Sequence, residues 1–321
     1  MSELIWIYLT ALLYFSRITS CSAIAEAYGN VSHDSLTRML KSGWDGQILL
    51  EQSVFLLFTV SGGYFIIDDT VVEKPYSEML SEAAWVYSGK RKKTVFGISV
   101  VMLIWTDGHI RIPLMYRVWR KGGLSKFELA LELLSYARNR LKLKPDYVLF
   151  DSWYPSEKIL KRIRDYGWYF VCRLKKNRKF ESAQLKNYRH QPYWTETGYL
   201  SGGIRVFVVK YRRKYYATNR LSLNPKEIRR IYKIRQQIEE VFKLLKSHLN
   251  IEKCQSGYQR KKFSPRQISQ EHHIVLCLTA FLIIEKERIS KKMTWQKFRF
   301  HLTVKGRDVK LPSLSRLKKI A

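Results

Sequence analysis

Three carboxylates stand where a folded chain could bring them together. Asp68 follows a short apolar stretch at 64–67, and Asp151 follows another at 147–150. Both stretches predict strands, and the carboxyl edge of a sheet presents side chains to a cleft. The third carboxylate, Glu239, lies on a long predicted helix. Carboxylates that meet in a cleft repel one another unless cations neutralise them, so this set predicts a metal site.

A set of three carboxylates suits the binding of divalent metal ions. Mg²⁺ is a hard cation that takes one or two carboxylates together with waters and substrate phosphate oxygens. Two ions, Mg²⁺ or Mn²⁺, about 3.5–4 Å apart would activate an attacking oxygen and stabilise the leaving oxygen of an in-line displacement. Taken singly, Asp68 is typical of a turn and Asp151 of a helix N-cap. Their order along the chain, with a helical glutamate downstream, favours the joint metal site.

The first carboxylate has a neighbour, Asp69, that competes for the same role. Successive side chains of a strand point to opposite faces of the sheet. Asp68 therefore shares a face with Ile66 and Tyr64, whereas Asp69 points to the other side. We predict Asp68 as the metal ligand and keep Asp69 as the alternative.

Asn224, Pro225 and Glu227 are typical of an N-cap, a first helical position and a third helical position, so they predict the start of a helix that runs into residues 231–249. The part of this predicted helix at 231–249 carries two stripes. At about 100° per residue, its isoleucine, valine, leucine and phenylalanine side chains form one broad apolar face. A second band, about 60° wide and bordering that face, contains Tyr232, Arg235, Glu239 and Lys246. Arg235 suits a bidentate clamp on a phosphate. The alternative is a solvated helix flank, in which the Arg235–Glu239 pair contributes only about 0.2–0.5 kcal/mol.

The chain carries a large excess of positive charge. Its 58 Lys and Arg residues against 27 Asp and Glu give a net charge of +31 over 321 residues. Each phosphate that a cation contacts releases counterions, so nucleic acid is the predicted partner. The basic runs are spread along the chain, at 90–93, 175–179, 212–214, 260–262 and 286–292.

Membrane and secretory roles are disfavoured. A membrane span needs about 20 apolar residues, whereas the longest apolar candidate, 274–284, has eleven. The first residues lack the basic segment and the small-residue cleavage site of a signal peptide. The four cysteines show no CxxC spacing, which argues against zinc and disulfides and predicts buried thiols in a reducing cytoplasm.

The order of the predicted elements indicates an α/β core. In chain order they are a strand at 64–67, strands at 93–105 and 110–119 that form a hairpin, a capped helix at 125–141, a strand at 147–150, a helix at 155–166 and a strand at 168–174. Three antiparallel strands, helix, strand, helix and strand is the order of a ribonuclease-H-like sheet.

The regions before and after this core differ from it. Residues 1–60 read as helices, and the pair at 22–28 and 33–40 resembles a helix-turn-helix, with an ordinary αα-hairpin as the alternative. The last part of the chain opens with a basic loop at 255–262. An apolar helix near 267–285 and a basic tail follow.

Four residues of the long helix have the spacing Tyr-x2-Arg-x3-Glu-x6-Lys. This spacing resembles the YREK signature of DDE transposases from bacterial insertion sequences, in the large cut-and-paste group. Asp68-Asp69-Thr70 matches the Asp-x-Thr context of that family's first catalytic aspartate, and Asp151 in VLFDSW fits the second. The family carries a β-strand insertion, which the basic, aromatic residues 174–224 suit. Gln236, where many relatives have Trp, and Trp153, where small residues are frequent, depart from the family pattern without removing a metal ligand.

The resemblance implies a fold and a domain organisation. The fold would be α/β, with a ribonuclease-H-like (retroviral-integrase-like) catalytic core that carries a β-strand insertion. Residues 1–60 would form an N-terminal helical region that binds DNA, and residues 61–250 the catalytic core, with the insertion at about 174–224. Residues 251–321 would form a basic C-terminal helical region.

The resemblance also implies chemistry and partners. The chain would be a DNA transposase that binds the ends of its insertion sequence, cleaves DNA with divalent metal and transfers the freed 3′-hydroxyl to target DNA. It would act as a homodimer assembled on DNA. The metal ligands would be Asp68, Asp151 and Glu239, and the residues that grip DNA would be Tyr232, Arg235 and Lys246. The alternatives are a ribonuclease-H-like nuclease without strand transfer and a catalytically inactive, transposase-derived DNA-binding protein.

Overall fold

The computed structural model describes residues 3–15, 20–75, 80, 82–89, 91–188, 192–254 and 269–319. Its helices are α1 (Glu3–Tyr14), α2 (Cys21–Tyr28), α3 (His33–Lys41), α4 (Gly46–Leu57), α5 (Lys126–Asn139), α6 (Glu157–Asp165), α7 (Pro225–Ile234), α8 (Gln236–His248), α9 (Ser269–Ser290), α10 (Trp295–Lys305) and α11 (Pro312–Lys318). Its strands are β1 (Tyr64–Glu73), β2 (Ala84–Ser88), β3 (Lys93–Thr106), β4 (Arg111–Trp119), β5 (Tyr147–Phe150), β6 (Tyr169–Leu174), β7 (Lys179–Phe180), β8 (Ala183–Gln184), β9 (Tyr193–Leu200), β10 (Ile204–Tyr211) and β11 (Lys214–Thr218).

The described strands join one mixed sheet. One edge of β3 pairs with β2 and β4 and the other edge with β1, all antiparallel. β5 pairs with β1 in parallel and β6 with β5 in parallel. Parallel neighbours need a crossover connection, and α5 and α6 lie in those connections. The predicted order of antiparallel and then parallel strands is therefore confirmed.

The β-rich stretch predicted at 174–224 contains β7 to β11. β11 pairs with β6 in antiparallel fashion, and β10 and β9 continue outward from it. This part of the chain therefore extends the central sheet by its β6 edge. β10 and β11 form a hairpin that turns at Arg212-Arg213, where Arg212 has a positive φ of 57°.

Helices cover both faces of the central strands. α5 packs on β3 and β4, α8 packs on β1 and β4, and α9 packs on β4. Every residue of β5 is buried. A strand covered on both faces reads as a continuous apolar run rather than an alternating one, which is why the sequence pattern located β5 without error.

The helices at the two ends of the described chain pack together. α1, α3, α4, α10 and α11 all contact α9. Most of α9 is buried around its whole circumference, as expected of a helix without a polar face. Tyr8 on α1 forms a 2.9 Å hydrogen bond with Nδ1 of His273 on α9. Burial lowers the pKa of His273 to about 3, so this histidine is a neutral packing residue.

Strand β1 is longer than predicted. The apolar stretch predicted at 64–67 continues to Glu73, so Asp68 lies within the strand and not at its end. The reason is that β1 has two partners of different length. β5 pairs only with Tyr64 to Ile66, whereas β3 pairs with all of β1. Asp68 therefore stands just beyond the end of β5, at the edge where the parallel pairing stops.

Strand β2 has no counterpart among the elements predicted from the sequence. It pairs with β3 opposite Lys93 to Gly97, at an edge of the sheet. Its five residues combine two exposed aromatic side chains with partly buried Ala and Val. So short a stretch gives no clear periodicity, and an edge strand can be short.

The long helix predicted at 231–249 is divided at Arg235. α7 ends at Ile234 and α8 begins at Gln236. Arg235 keeps helical dihedral angles, but its N–H bonds to the carbonyl oxygen of Tyr232, and its own carbonyl oxygen accepts from the N–H of Ile238. These i to i+3 bonds tighten the chain by one local 3₁₀ turn. The predicted start of α7 is confirmed, with Asn224 as its N-cap in a capping box.

Several remaining predictions concern local features. The capping box of Ser125 and Glu128 is present. Cys172, Cys254 and Cys277 are buried and form no disulfide, whereas Cys21 is only partly buried. Among the described helices, none combines the length and the apolar character needed to cross a bilayer. The basic loop predicted at 255–262, Lys90 in the run 90–93 and the start of the helix predicted at 267–285 lie outside the described residues.

Candidate active site

The first of the three predicted carboxylates, Asp68, is partly buried. Its side chain is 19% exposed, and Oδ2 accepts a 2.9 Å hydrogen bond from Nη1 of Arg235. Oδ1 accepts from the backbone N–H of Asp69 at 2.9 Å. Burial, followed by the charge of Asp151, raises the pKa of Asp68 to about 7, although Arg235 opposes the rise. The side chain is therefore a crowded carboxylate that one cation only partly neutralises.

Asp151 follows directly after β5 and faces the same region. Its Oδ1 accepts a 2.8 Å hydrogen bond from the backbone N–H of Trp153, which fixes the turn after the strand. Asp68 and Asp151 lie at the same edge of the sheet, and the charge of Asp151 helps to raise the pKa of Asp68. This proximity follows from the parallel pairing of β1 with β5, because parallel neighbours present their carboxyl ends at one edge of the sheet.

Glu239 lies at the rim, with a side chain that is 54% exposed. The guanidinium group of Arg235 donates to Glu239 and also to Asp68, so it links the helix to the strand. The structure thus connects Asp68 to both other acids. Within the part of the chain that the structure describes, no three His, Cys, Asp or Glu side chains lie close enough to hold one ion. Arg235 stands between Asp68 and Glu239.

The three acids fit a divalent metal chemically. All the donor atoms are carboxylate oxygens, which hard cations prefer. Arg235 already places positive charge between Asp68 and Glu239. Burial and the negative charge of Asp151 both raise the pKa of Asp68. A cation bound between these acids would offset their repulsion and favour the ionised form of Asp68.

Asp69 is engaged on the other face of the sheet. Its Oδ2 pairs with Nζ of Lys126 at 2.6 Å, and its Oδ1 accepts from the hydroxyl of Tyr154 at 2.9 Å. Tyr154 is buried and sits three residues after Asp151. The ring of Phe127 contacts Tyr154 as well, with ring centroids 6.2 Å apart. Asp69 therefore ties the strand that carries Asp68 to the loop that carries Asp151.

Sequence reasoning missed this network. Lys126 and Phe127 open α5, and nothing in their spacing relates them to Asp69 or Tyr154. The two contacts are separated by 57 and 85 residues in the chain. The adjacent pair Asp68-Asp69 was the one available signal, because alternation within a strand gives the two acids different partners.

Lys246 lies on the same band of α8 as Glu239, at the rim of a cleft. Its Nζ donates to the carbonyl oxygen of Val71 and pairs with Glu252 at 3.2 Å. The cleft has a volume of about 830 Å³ and is also lined by Asp68, Tyr87 and Glu239. We name it the acidic cleft.

A second cleft lies beside the first. It has a volume of about 870 Å³ and is formed by β6, the β10–β11 turn and α7. Nine of its thirteen lining residues are Lys or Arg, three are Tyr and none is acidic. We name it the basic cleft; its arginines are Arg173, Arg212, Arg213, Arg229, Arg230 and Arg235. A concave surface of this charge suits a run of phosphates.

Tyrosines form part of the walls of the basic cleft. The guanidinium carbon of Arg229 lies 3.7 Å from the centre of the Tyr211 ring. Tyr232 packs against Tyr216, with ring centroids 5.2 Å apart, and burial raises the pKa of Tyr232 to about 12. Tyr232 therefore keeps its proton and can donate a hydrogen bond at neutral pH.

Two buried donor atoms of the basic cleft have no hydrogen-bond partner among the described residues. These atoms are Nε of Arg173 and Nε of Arg235, both shielded from solvent. A buried donor without an acceptor costs about 1–3 kcal/mol. Arg235 thus lines the basic cleft while its terminal nitrogens hold Asp68 and Glu239. The two clefts meet at this residue.

The raised pKa of Asp68 predicts a pH-dependent stability. An unfolded aspartate has a pKa near 3.9, whereas that of folded Asp68 is about 7. The folded protein therefore keeps a proton that the unfolded chain releases, and the free energy of unfolding should fall as pH rises from about 4 to about 7. Asp68→Asn, which cannot ionise, should be more stable than the parent at pH 8, on the order of 2–4 kcal/mol.

Thermal melts in EDTA at pH 4 and pH 8 measure this difference. At pH 4 the two proteins should melt alike. Asp165→Asn is the control, since Asp165 is an exposed aspartate on α6 that pairs with its neighbour Arg164. A parent that is as stable as Asp68→Asn at pH 8 would contradict the burial of a charged Asp68.

The fold of this chain is similar to that of a piggyBac transposase, solved as a synaptic complex with hairpin DNA. The TM-score is 0.58 at 14% identity, over 98% of this chain and 71% of that chain. No curated protein matches the sequence. Residues 62–264, well over half of the chain, match the family described as Transposase DDE domain. The chain therefore belongs to the family of DDE-domain transposases.

Proposed function

We propose that this transposase binds the ends of its own mobile element, cleaves DNA there with divalent metal and joins the freed 3′-hydroxyl to target DNA. The observation that carries the proposal is the junction at Arg235. This residue holds Asp68 and Glu239 with its terminal nitrogens and lines the basic cleft with the rest of its side chain. A strand held by its phosphates in the basic cleft would lead directly to the carboxylates.

The metal ligands in this proposal are Asp68, Asp151 and Glu239. When bound, Mg²⁺ or Mn²⁺, as a pair of ions, would polarise the scissile phosphate and lower the pKa of an attacking water or hydroxyl. Asp69 is not a ligand in this proposal, since its carboxylate lies on the opposite face of the sheet from that of Asp68, where it pairs with Lys126 and Tyr154.

The protein's own residues bind and orient the DNA strand. Arg235 offers the planar fork that matches a phosphate. Tyr232, which keeps its proton at neutral pH, can donate to a neighbouring phosphate oxygen. Lys246 holds the backbone at Val71 and contributes positive charge to the rim of the acidic cleft. Transesterification at phosphorus needs little else from the protein, because catalysis in such reactions is mainly positioning and charge stabilisation.

We further propose the organisation implied by the sequence. Residues 1–60 would be an N-terminal DNA-binding region, residues 61–250 the ribonuclease-H-like core with the insertion at about 174–224, and residues 251–321 a C-terminal helical region. The protein would belong to the YREK group of bacterial insertion sequences and act in the cytoplasm as a homodimer on DNA. The piggyBac transposase was solved in a synaptic complex with DNA, which supports DNA as the partner.

Incubation with DNA that carries the sequences flanking the coding region tests the function. In Mg²⁺ the purified protein should release defined ends and then form joined products with a second DNA. Cleavage without joining would favour the ribonuclease-H-like nuclease. Binding without cleavage in either metal would favour the inactive DNA-binding protein. Inverted repeats beside the coding region, with a short duplicated target outside them, would support transposition independently.

The salt dependence of DNA binding tests the basic cleft. The logarithm of the association constant should fall by about 0.9 for each phosphate neutralised, per tenfold increase in salt. Arg229→Ala with Arg230→Ala should flatten this slope by nearly 2, because both cations line the cleft. Lys318→Ala with Lys319→Ala removes the same charge from two exposed positions, the last residue of α11 and its C-cap, and the slope of this variant should stay close to that of the parent. Equal slopes for both double variants would remove the basic cleft from the DNA path.

A further inference from the structure

An aromatic pair on strand β2 extends the catalytic face of the sheet. Trp85 is 71% exposed and Tyr87 is 66% exposed, although both are large aromatic side chains. They are two residues apart on one strand and therefore share one face. Trp85 contacts Phe96 on β3, with ring centroids 5.7 Å apart.

The strand register places this pair on the same face as Asp68. Asp68 stands directly opposite Met102 on β3. Side chains alternate along β3, so Phe96 and Thr94 share the face of Met102. These two residues stand opposite Trp85 and Tyr87, in that order. The face that carries Asp68 thus continues to the edge of the sheet and ends in two exposed rings.

The acidic cleft connects the pair to the candidate active site. Tyr87 lines that cleft together with Asp68, Glu239 and Lys243. Helix α8 covers the face at β1, where Phe242 is buried. Beyond the helix, the rings of β2 are exposed, so the floor of the cleft runs outward onto them.

The positive charge around Trp85 and Tyr87 indicates what kind of ligand this surface would bind. Lys92 and Lys93 follow β2 and are exposed, and Lys243 and Lys246 line the cleft on its other side. An aromatic surface bordered by cations and continuous with the site of phosphate chemistry fits single-stranded nucleic acid, because bases stack on rings while cations hold the backbone.

The spacing of the two strand positions fits one base. Side chains two residues apart on a strand are separated by about 6.8 Å. This distance is twice the ~3.4 Å between stacked bases. An unpaired base could therefore stack between Trp85 and Tyr87, whereas a paired base inside a duplex could not reach them.

We propose that Trp85 and Tyr87 form a stacking site for an unpaired nucleobase of the DNA strand that leaves the acidic cleft. The site rests on the proposed function, because its ligand is the DNA that is cut in that cleft. It also deepens that function, since it requires DNA that is unpaired next to the scissile phosphate. Base pairs must open there before or during cleavage, and the two rings would stabilise the opened form.

The test uses duplex DNA with a short unpaired extension that contains 2-aminopurine, whose fluorescence falls when the base stacks. The Asp68→Asn background keeps the DNA uncut. In the Asp68→Asn protein with Trp85 and Tyr87 unchanged, the fluorescence of the 2-aminopurine in the extension should fall. Trp85→Ala and Tyr87→Ala should each abolish the quenching and weaken binding of the extended DNA by roughly 5- to 150-fold. Binding of a fully paired duplex should be unchanged.

Controls separate stacking from damage to the fold. Phe300→Ala removes an aromatic side chain that is 69% exposed on α10, and it should change neither quenching nor affinity. Trp85→Phe and Tyr87→Phe keep a ring and should retain most of the quenching. Thermal melting should be close to that of the parent for Tyr87→Ala, which keeps the test decisive if Trp85→Ala folds poorly.

Two outcomes would overturn the stacking site. One is full quenching and affinity in the Trp85→Ala/Tyr87→Ala double variant. The other is a DNA-free parent that sediments as a dimer while Trp85→Ala sediments as a monomer with unchanged DNA binding, since β2 would then be a contact between copies. Either result leaves cleavage by the wild-type protein intact. Failure of the proposed function would appear instead as a wild-type protein that never cuts DNA.

Discussion

Asp68→Asn is expected to abolish DNA cleavage in Mg²⁺ while leaving DNA affinity close to that of the parent. Removing one member of a catalytic unit typically costs roughly 10⁴-fold or more in rate. The change keeps the size of the side chain but removes the negative charge that a divalent cation needs. DNA binding should persist because its phosphate contacts come from the basic cleft, which contains no carboxylate. Asp151→Asn and Glu239→Gln should behave in the same way.

Neighbouring acids provide matched controls for this prediction. Asp69→Asn makes the same change one residue away, on the face that Lys126 and Tyr154 occupy. It should reduce cleavage through loosened positioning and should not abolish it. Glu240→Gln changes an exposed residue beside Glu239 and should cleave like the parent.

Single-turnover cleavage in Mg²⁺ and DNA affinity in Ca²⁺, where cleavage is suppressed, are the two measurements. An active Asp68→Asn with an inactive Asp69→Asn would reverse the choice between the two aspartates. An active Glu239→Gln would defeat the proposed metal site altogether, because Asp68 and Asp151 would then act without the helical acid.

Strongly periodic or fully buried elements were the ones that the sequence located well. β5 was found at its full length because all of its residues are buried and apolar. The starts of α5 and α7 were found because a capping box is a local signal that needs no tertiary contact. These features depend on residues a few positions apart, so a linear pattern contains them.

Features that depend on residues far apart in the chain could not be predicted from the sequence. The true end of β1 is set by β3, which pairs with it past the polar Asp68 and Asp69. The edge strand β2 exists because β3 extends beyond β4 and offers it free hydrogen-bonding groups. The polar residues after Ile67 suggested that β1 ends in a turn there, and the residues of β2 gave no strand pattern. In the folded protein, pairing with β3 determines both strands.

In the candidate site, too, some features could be predicted from local patterns and others depend on distant contacts. The identities of Asp68, Asp151 and Glu239 came from strand position, helix periodicity and the family spacing. Their arrangement did not, because the guanidinium group of Arg235 stands between two of them. The role of Arg235 as the meeting point of two clefts depends on α7, α8 and β1 coming together, and no spacing within one helix contains that information.

Arg235→Ala should therefore affect DNA handling strongly and metal binding little. Losing a charged hydrogen-bond partner typically costs about 1.5–3 kcal/mol, or roughly one to two decades in affinity or rate. We expect that loss in binding of end DNA and again in single-turnover cleavage. Calorimetric titration of the DNA-free protein with Mg²⁺ should show an affinity no weaker than that of the parent, since no carboxylate is lost and a competing cation is removed.

The control substitutions for Arg235 test both its charge and its shape. Arg235→Lys should recover little, because an ammonium group cannot donate to Asp68, Glu239 and a phosphate with the geometry of a planar fork. Arg164→Ala removes an arginine that pairs with a carboxylate on the surface of α6 and should match the parent in every assay. If Arg235→Ala also matches the parent in DNA affinity and cleavage, its band on the helix is a solvated flank with an ordinary ion pair. If Mg²⁺ instead binds more weakly to Arg235→Ala, the arginine holds Asp68 and Glu239 in position for the metal rather than competing with it.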